Sequence, residues 1–218
     1  MALLIAQELL LVAYREDGTA HGKGTELDMA LGGALLVELA LSGNVELAEK
    51  DVVAAGQRPV PAHPELASAL TAIATKPRRP KSWVQRLAKG ARRRLLDDLV
   101  ARNVLTEEGY RRLGILPARR YPAVDPGPRQ AIETRLRAVV IDGADPDERT
   151  AALASMLAAA GLERRVFPRD DRKLVKRRLK EIAEGDWAAD AVRKAIRAAH
   201  AATMAAVSAA NSAAASGS

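Results

Sequence analysis

Residue types capable of catalysis are sparse in this chain. The three histidines, His21, His63 and His200, are scattered, with no second histidine or carboxylate at a metal-ligand spacing, so each reads as a loop or surface residue. Asp97-Asp98 and Asp170-Asp171 are adjacent pairs, but neighbours on a helix point roughly 100° apart and cannot converge on one reacting atom. They read as solvated faces or as acids at helix starts. The run His21-Gly22-Lys23-Gly24-Thr25 sets two glycines beside a lysine without the order or spacing of a phosphate-binding loop, and no Gly-x-Ser-x-Gly occurs. With no cysteine, disulfides and cysteine zinc sites are excluded. The chain reads as a non-enzyme with no cofactor and no metal.

The residues that could do chemistry are cations. In WVQRLAKGARRRLLDDLVARNVLTEEG, the spacing of Leu95, Leu96, Leu99 and Val100 predicts one apolar helical stripe. Lys89, Arg92 and Arg93 fall on another face at i, i+3, i+4, with Arg86 one turn earlier. Cations crowded at a helix N-terminus oppose the helix dipole. A phosphate bound there would neutralise them and also meet the free backbone N–H groups of the first turn. A second feature follows in GYRRLGILPARRYPAV, read as two short strands around a turn near Pro117. Leu113, Ile115, Leu116 and Tyr121 sit there among Arg111, Arg112, Arg119 and Arg120. Apolar tips flanked by arginines suit an anionic membrane interface, and equally a contact between proteins.

The charge is unevenly placed. Residues 1–75 hold four Lys/Arg against ten Asp/Glu, residues 76–140 seventeen against six, and residues 141–218 thirteen against eleven, for a net +7. The middle third is a cationic zone that points to phosphate-bearing partners. No basic segment precedes the first apolar run, so a signal peptide is not expected. The long apolar stretch LDMALGGALLVELALSG holds Glu38 and falls short of the roughly 20 apolar residues a span requires, so it reads as a buried helix.

The elements that must position these residues are mostly helical. Only 3% of residues are aromatic against 48% hydrophobic, so a core of Leu, Val, Ile and Ala is expected. Helices are predicted over 2–14, 27–41, 63–74, from an N-cap at Ser82, then over 91–103, 128–141, 147–161, 168–185 and 186–206. Gly43 suits the left-handed residue that closes the second of these. Weak alternation between Asn44 and Gly56 predicts a small hairpin. The expected fold is mainly α, one helical-bundle domain over residues 1–206 with a protruding hairpin, followed by an Ala/Ser-rich tail over 207–218 read as flexible.

LLIAQELLLVAYREDGTA followed by LDMALGGALLVELALSGNVEL resembles the Golgi phosphoprotein 3 (GPP34) family. The resemblance rests on Leu31, Gly33, Leu36, Glu38, Leu39, Ala40, Leu41 and Gly43, then on WVQRLAKG, RRRLLDDLVARNVLTEE and DERTAALASMLAAAGL in the same order. The Arg/Ala-rich composition, the short loops and the lack of an acidic N-terminal extension look like a bacterial, actinobacterial-like member. The resemblance implies a helical domain with a protruding hairpin that self-associates and touches membrane. It also implies binding of phosphatidylinositol 4-phosphate, a role as adaptor for other proteins, and no catalysis. Of the family's four headgroup positions, an aromatic falls at Lys23, one arginine at Gly32, and two later arginines at Lys89 and Arg92.

These readings converge on a cytoplasmic, peripherally membrane-associated protein that binds anionic phospholipid, a phosphoinositide-type headgroup included. Lys89, Arg92 and Arg93, with Lys23 and Gly32 by resemblance, are the expected headgroup site. Arg112, Leu113, Ile115, Leu116, Arg119, Arg120 and Tyr121 are the expected membrane-contact or homo-oligomerisation hairpin. An adaptor or oligomeric scaffold for a client protein is the alternative. Nucleic-acid binding ranks lower, since aromatics for base stacking are few.

Overall fold

The computed structural model describes residues 2–20, 24–56, 58–112, 115–184 and 190–216. Ten helices and two hairpins are described: α1 (Ile5–Ala13), α2 (Gly24–Leu41), β1 (Val45–Ala48), β2 (Asp51–Ala54), α3 (Pro64–Thr75), α4 (Pro80–Ala88), α5 (Ala91–Ala101), β3 (Glu108–Arg112), β4 (Leu116–Arg120), α6 (Gly127–Val140), α7 (Glu148–Ala159), α8 (Glu163–Val166), α9 (Arg172–Glu184) and α10 (Asp190–Ser216). The fold is mainly α with two small antiparallel hairpins, as expected.

Helix α2 is the hub, packed on α1, α4, α7 and α10. A helix surrounded by others is apolar on every side, and Leu27, Leu31, Leu35 and Leu39 of α2 are all buried. Its two consecutive glycines serve different neighbours. A β-carbon on Gly32 would overlap the carbonyl oxygen of Val84 and lie 2.9 Å from the Ala88 nitrogen, so Gly32 lets the backbone of α4 close onto α2. A β-carbon on Gly33 would instead overlap the Thr203 hydroxyl of α10 and stand 2.8 Å from Met156 Sδ of α7. Gly43, at φ +68°, ends α2 with its N–H bonded to the Ala40 carbonyl and the Asn44 N–H to the Leu39 carbonyl, a Schellman closure.

The acids inside these apolar helices are paired. Glu38 of α2 accepts the Ile5 N–H at 2.6 Å and the Arg149 guanidinium at 2.6 Å, while Glu8 accepts Arg135 at 2.6 Å. Burial works against the charge of Arg149, but its hydrogen bond to Glu38 and the nearby Glu8 outweigh it and hold the guanidinium above its ordinary pKa. Gln7, also buried, donates to Asp98 at 2.6 Å and so ties α1 to α5.

Three expectations are corrected. Helix α4 starts at Pro80, with Arg79 at its N-cap, not at Ser82; proline suits the first helical position, where its missing N–H has no partner to lose. The turn of the second hairpin does not lie near Pro117. That residue stands within β4 opposite Arg111, because in a two-stranded ribbon each strand is an edge that tolerates proline. The last helix does not end near residue 206, since α10 continues to Ser216 with Val207 buried. Alanine is the strongest helix former, and a docked helix propagates through an Ala-rich run at little cost. The short α8 was not anticipated.

Candidate functional site

The basic zone divides at the α4–α5 elbow. Gly90, at φ +70°, makes the turn between the two helices, a conformation that costs glycine little. On the α5 side every arginine of the first turn is engaged. Arg92 bonds the Gly24 carbonyl and brings Nε to 2.8 Å from Asp28, a charge contact more than an aligned hydrogen bond. Burial raises the pKa of Asp28 and Arg92 opposes that rise. Arg93 donates to Asp97 at 3.0 Å, to Glu107 at 3.3 Å and to the Tyr121 hydroxyl at 2.9 Å. The Asp97 hydrogen bond, with Tyr121 and Glu107, holds its guanidinium above the ordinary value. Arg94 grips both oxygens of Glu65, at 2.8 and 2.7 Å, and donates to the Lys89 carbonyl at 2.9 Å.

On the α4 side the cations have no acidic partner among the described residues. Trp83, Val84, Leu87 and Ala88 bury one face of α4, and Lys81, Arg86 and Lys89 occupy the exposed opposite face. Upstream, Lys76, Arg78 and Arg79 lie in the connection from α3, held where the Arg78 carbonyl accepts the Val52 N–H at 2.8 Å. Among the described residues none of these six cations has a carboxylate within ion-pairing distance. The expected site centred on Lys89, Arg92 and Arg93 therefore splits: Lys89 belongs to a free ridge, and Arg92 and Arg93 are internal ties. Lys76, Arg78, Arg79 and Lys81 belong to the cationic zone of residues 76–140 but not to the expected site. The signal that marks them is the lack of any acid between Glu65 and Asp97.

The hairpin is anchored at its base. Glu107 bonds Arg119, and Glu108 bonds Arg120 at 2.7 Å across the register pair Glu108–Arg120. Ile115, near the turn, is 78% exposed. Arg112 pairs with Leu116 in the backbone register, and Leu113 lies outside the described residues. Tyr121, expected on the membrane-contact or homo-oligomerisation hairpin, is buried at the hairpin's base. It is 6% exposed, its ring meets Tyr14 edge-on at 6.0 Å, and its N–H bonds the Gly18 carbonyl at 2.7 Å. An aromatic ring buried this way holds the hairpin base to the bundle.

His63 also departs from expectation. It is buried and caps α3, its Nδ1 accepting the Glu65 N–H at 3.2 Å while Nε2 stands 3.4 Å from Asp98. His200 is half-buried with Nδ1 3.1 Å from the Ser155 carbonyl, and His21 lies outside the described residues. Among the described residues no three His, Asp or Glu side chains are placed to hold a metal ion. The acid pairs are structural: Asp97 holds Arg93, Asp98 holds Gln7, Asp170 holds Arg137 and Asp171 caps α9.

The sequence profile described as Golgi phosphoprotein 3 (GPP34) matches residues 5–199. The chain belongs to that family. No curated protein matches it. Of the headgroup positions that the resemblance implies, three lie among the described residues of this GPP34 chain, and they differ in availability. Gly32 is buried against α4, where no larger side chain fits, Arg92 is bound to α2, and Lys89 is exposed; Lys23 lies outside the described residues. No helix among the described residues is long and apolar enough to cross a membrane.

Proposed function

We propose that this GPP34 protein binds the surface of anionic phospholipid membranes peripherally, and that it is a binding protein with no catalysis of its own. The observation that carries this is the ridge Lys76, Arg78, Arg79, Lys81, Arg86 and Lys89, whose charges have no carboxylate within ion-pairing reach among the described residues. Each cation near an anionic leaflet contributes about 1 kcal/mol, so an unneutralised ridge gives useful affinity where a paired one gives little. Phosphoinositide headgroups are among the ligands because their phosphates add charge, but the ridge recognises charge density more than the 4-phosphate. Arg92 is already occupied by Gly24 and Asp28. The composition suggests a bacterial setting, in which the bacterial inner leaflet supplies the anionic lipid.

Co-sedimentation tests this with vesicles of phosphatidylcholine alone, or doped with phosphatidylserine, phosphatidylinositol or its 4-phosphate, at low and high salt. The protein is expected in the pellet with every anionic mixture at low salt and in the supernatant at high salt. Recovery in the supernatant with all of them at low salt removes the proposal.

A second reading, an adaptor or scaffold assembled through the hairpin, is favoured by the exposure of Ile115 at its far end. Concentration-dependent mass that Ile115→Ser abolishes would support it.

A further inference from the structure

Over residues 141–218 the charges nearly cancel, yet nine of the thirteen Lys/Arg fall within 164–180, opposed there only by Asp170 and Asp171. The fold gathers part of this charge around one cleft of about 370 Å3 between α8 and the first turns of α9. Arg164, Arg172, Lys173 and Lys176 line it, and the buried side chains of Phe167 and Val175 contribute its apolar wall. Its size lies within the range of small-molecule sites.

The acids beside these cations are spoken for. Both oxygens of Asp170 are held by Arg137, at 2.7 and 3.0 Å. Asp171 spends its carboxylate on the backbone, accepting the Lys173 and Leu174 N–H groups at 2.7 and 3.2 Å. The start of α9 is therefore already capped, and the binding groups of the cleft are side chains. Glu163 is the remaining carboxylate that faces it. None of the four cations forms an ion pair with a described residue, whereas Arg177 and Arg178 on the same helix both pair with Glu181.

We propose that this cleft binds a multiply phosphorylated group, with Arg164, Arg172, Lys173 and Lys176 as its phosphate ligands. Four cations facing one carboxylate leave an excess that a single carboxylate ligand would not neutralise, while two or more linked phosphates would. Arginine binds phosphate oxygens in pairs and lysine contributes a point charge. The Phe167 and Val175 wall suits the organic body that carries the phosphates. Free polyphosphate and a phosphorylated lipid headgroup share this chemistry. The site is separate from the α4 ridge and its existence does not depend on it.

Calorimetric titration of the full chain with inorganic tripolyphosphate tests the proposal. Saturable binding is expected, weakened at least tenfold in Lys173→Ala/Lys176→Ala. The charge-matched Lys50→Ala/Arg177→Ala is expected to stay within twofold of the unsubstituted protein. Absence of binding, or equal weakening in both variants, overturns the proposal. So does binding of random duplex DNA, lost in the first variant, without binding of tripolyphosphate. Mass-spectrometric acetylation mapping needs no substitution: tripolyphosphate should protect Lys173 and Lys176 but not Lys50, and unprotected lysines contradict the site. Co-sedimentation with vesicles doped with phosphatidylinositol 4-phosphate then separates the sources. A Lys173→Ala/Lys176→Ala protein that also loses the vesicles supports a lipid-borne ligand, and one that keeps them a soluble ligand.

Discussion

Gly32 of α2 stands directly against the Val84 carbonyl of α4, with no room between them for a β-carbon. The obstacle is backbone, which cannot rotate aside, so the two helices must separate to admit even a methyl group. Overpacking of this kind costs about 1–3 kcal/mol, more than the helix-propensity gain of alanine. Gly32→Ala is expected to lower stability within that range in urea melts, and Gly32→Arg to prevent folding. Wild-type stability of Gly32→Arg would show that the position opens onto a binding pocket after all.

Gly33 meets side chains instead, so its substitution is milder and repairable. Gly33→Ala is expected to cost less than Gly32→Ala, and Thr203→Ala is expected to recover part of the loss, because Thr203 Oγ1 is the nearer of the two atoms in the way, Met156 Sδ being the other. A double-mutant cycle measured by chemical denaturation checks the coupling. Simple additivity would contradict this packing.

Arg92 sets a pH dependence. The folded pKa of Asp28 is raised by burial, with Arg92 holding the rise in check. Removing the guanidinium in Arg92→Gln raises it further, so the penalty for a charged Asp28 is full above that pKa, shrinks as pH falls below it and is gone once pH passes the unfolded value. Arg92→Gln is therefore expected to destabilise at pH 7 by about 1–2 kcal/mol, the order of an uncompensated polar group. The deficit should shrink toward pH 4, and Asp28→Asn in the same background should remove the pH dependence. Thermal melts across that window decide it, and a deficit independent of pH is the contrary result.

The tip of the hairpin should be neutral for stability and active at surfaces. Ile115 is 78% exposed, and exposed substitutions usually stay within about 0.5 kcal/mol. Ile115→Ser is expected to leave the melting temperature unchanged and to weaken vesicle binding. Tyr121→Phe behaves oppositely, losing the hydroxyl that accepts from Arg93 at 2.9 Å, with a cost of about 0.5–1.5 kcal/mol.

Local pattern revealed the parts of this architecture that local physics decides. The Leu95–Val100 stripe, the Gly43 closure and the small hairpin after Asn44 all follow from spacing or from a single residue's backbone freedom. What escaped were partners distant along the chain. Glu65 and Gly24 reach Arg94 and Arg92 across 29 and 68 positions, and no periodicity marks which arginine a carboxylate will meet. Arg92 therefore looked as available as Lys89, whereas the Arg93–Asp97 pair stands at i, i+4, a spacing the sequence does show. Tyr121 looked like a surface aromatic because its partner Tyr14 lies at the far end of α1. The charge of α9 was hidden by averaging it with the acids of neighbouring helices.

The central claim is that the free cations of α4, rather than the paired arginines of α5, hold the membrane. Its most direct measurement is co-sedimentation of Lys81→Ala/Arg86→Ala/Lys89→Ala with phosphatidylserine vesicles at low salt, beside the unsubstituted chain. All three side chains are exposed, so the variant should keep its melting temperature. At about 1 kcal/mol per cation, the loss should approach roughly a hundredfold in apparent affinity. A folded triple variant that sediments as well as the original chain would contradict the claim.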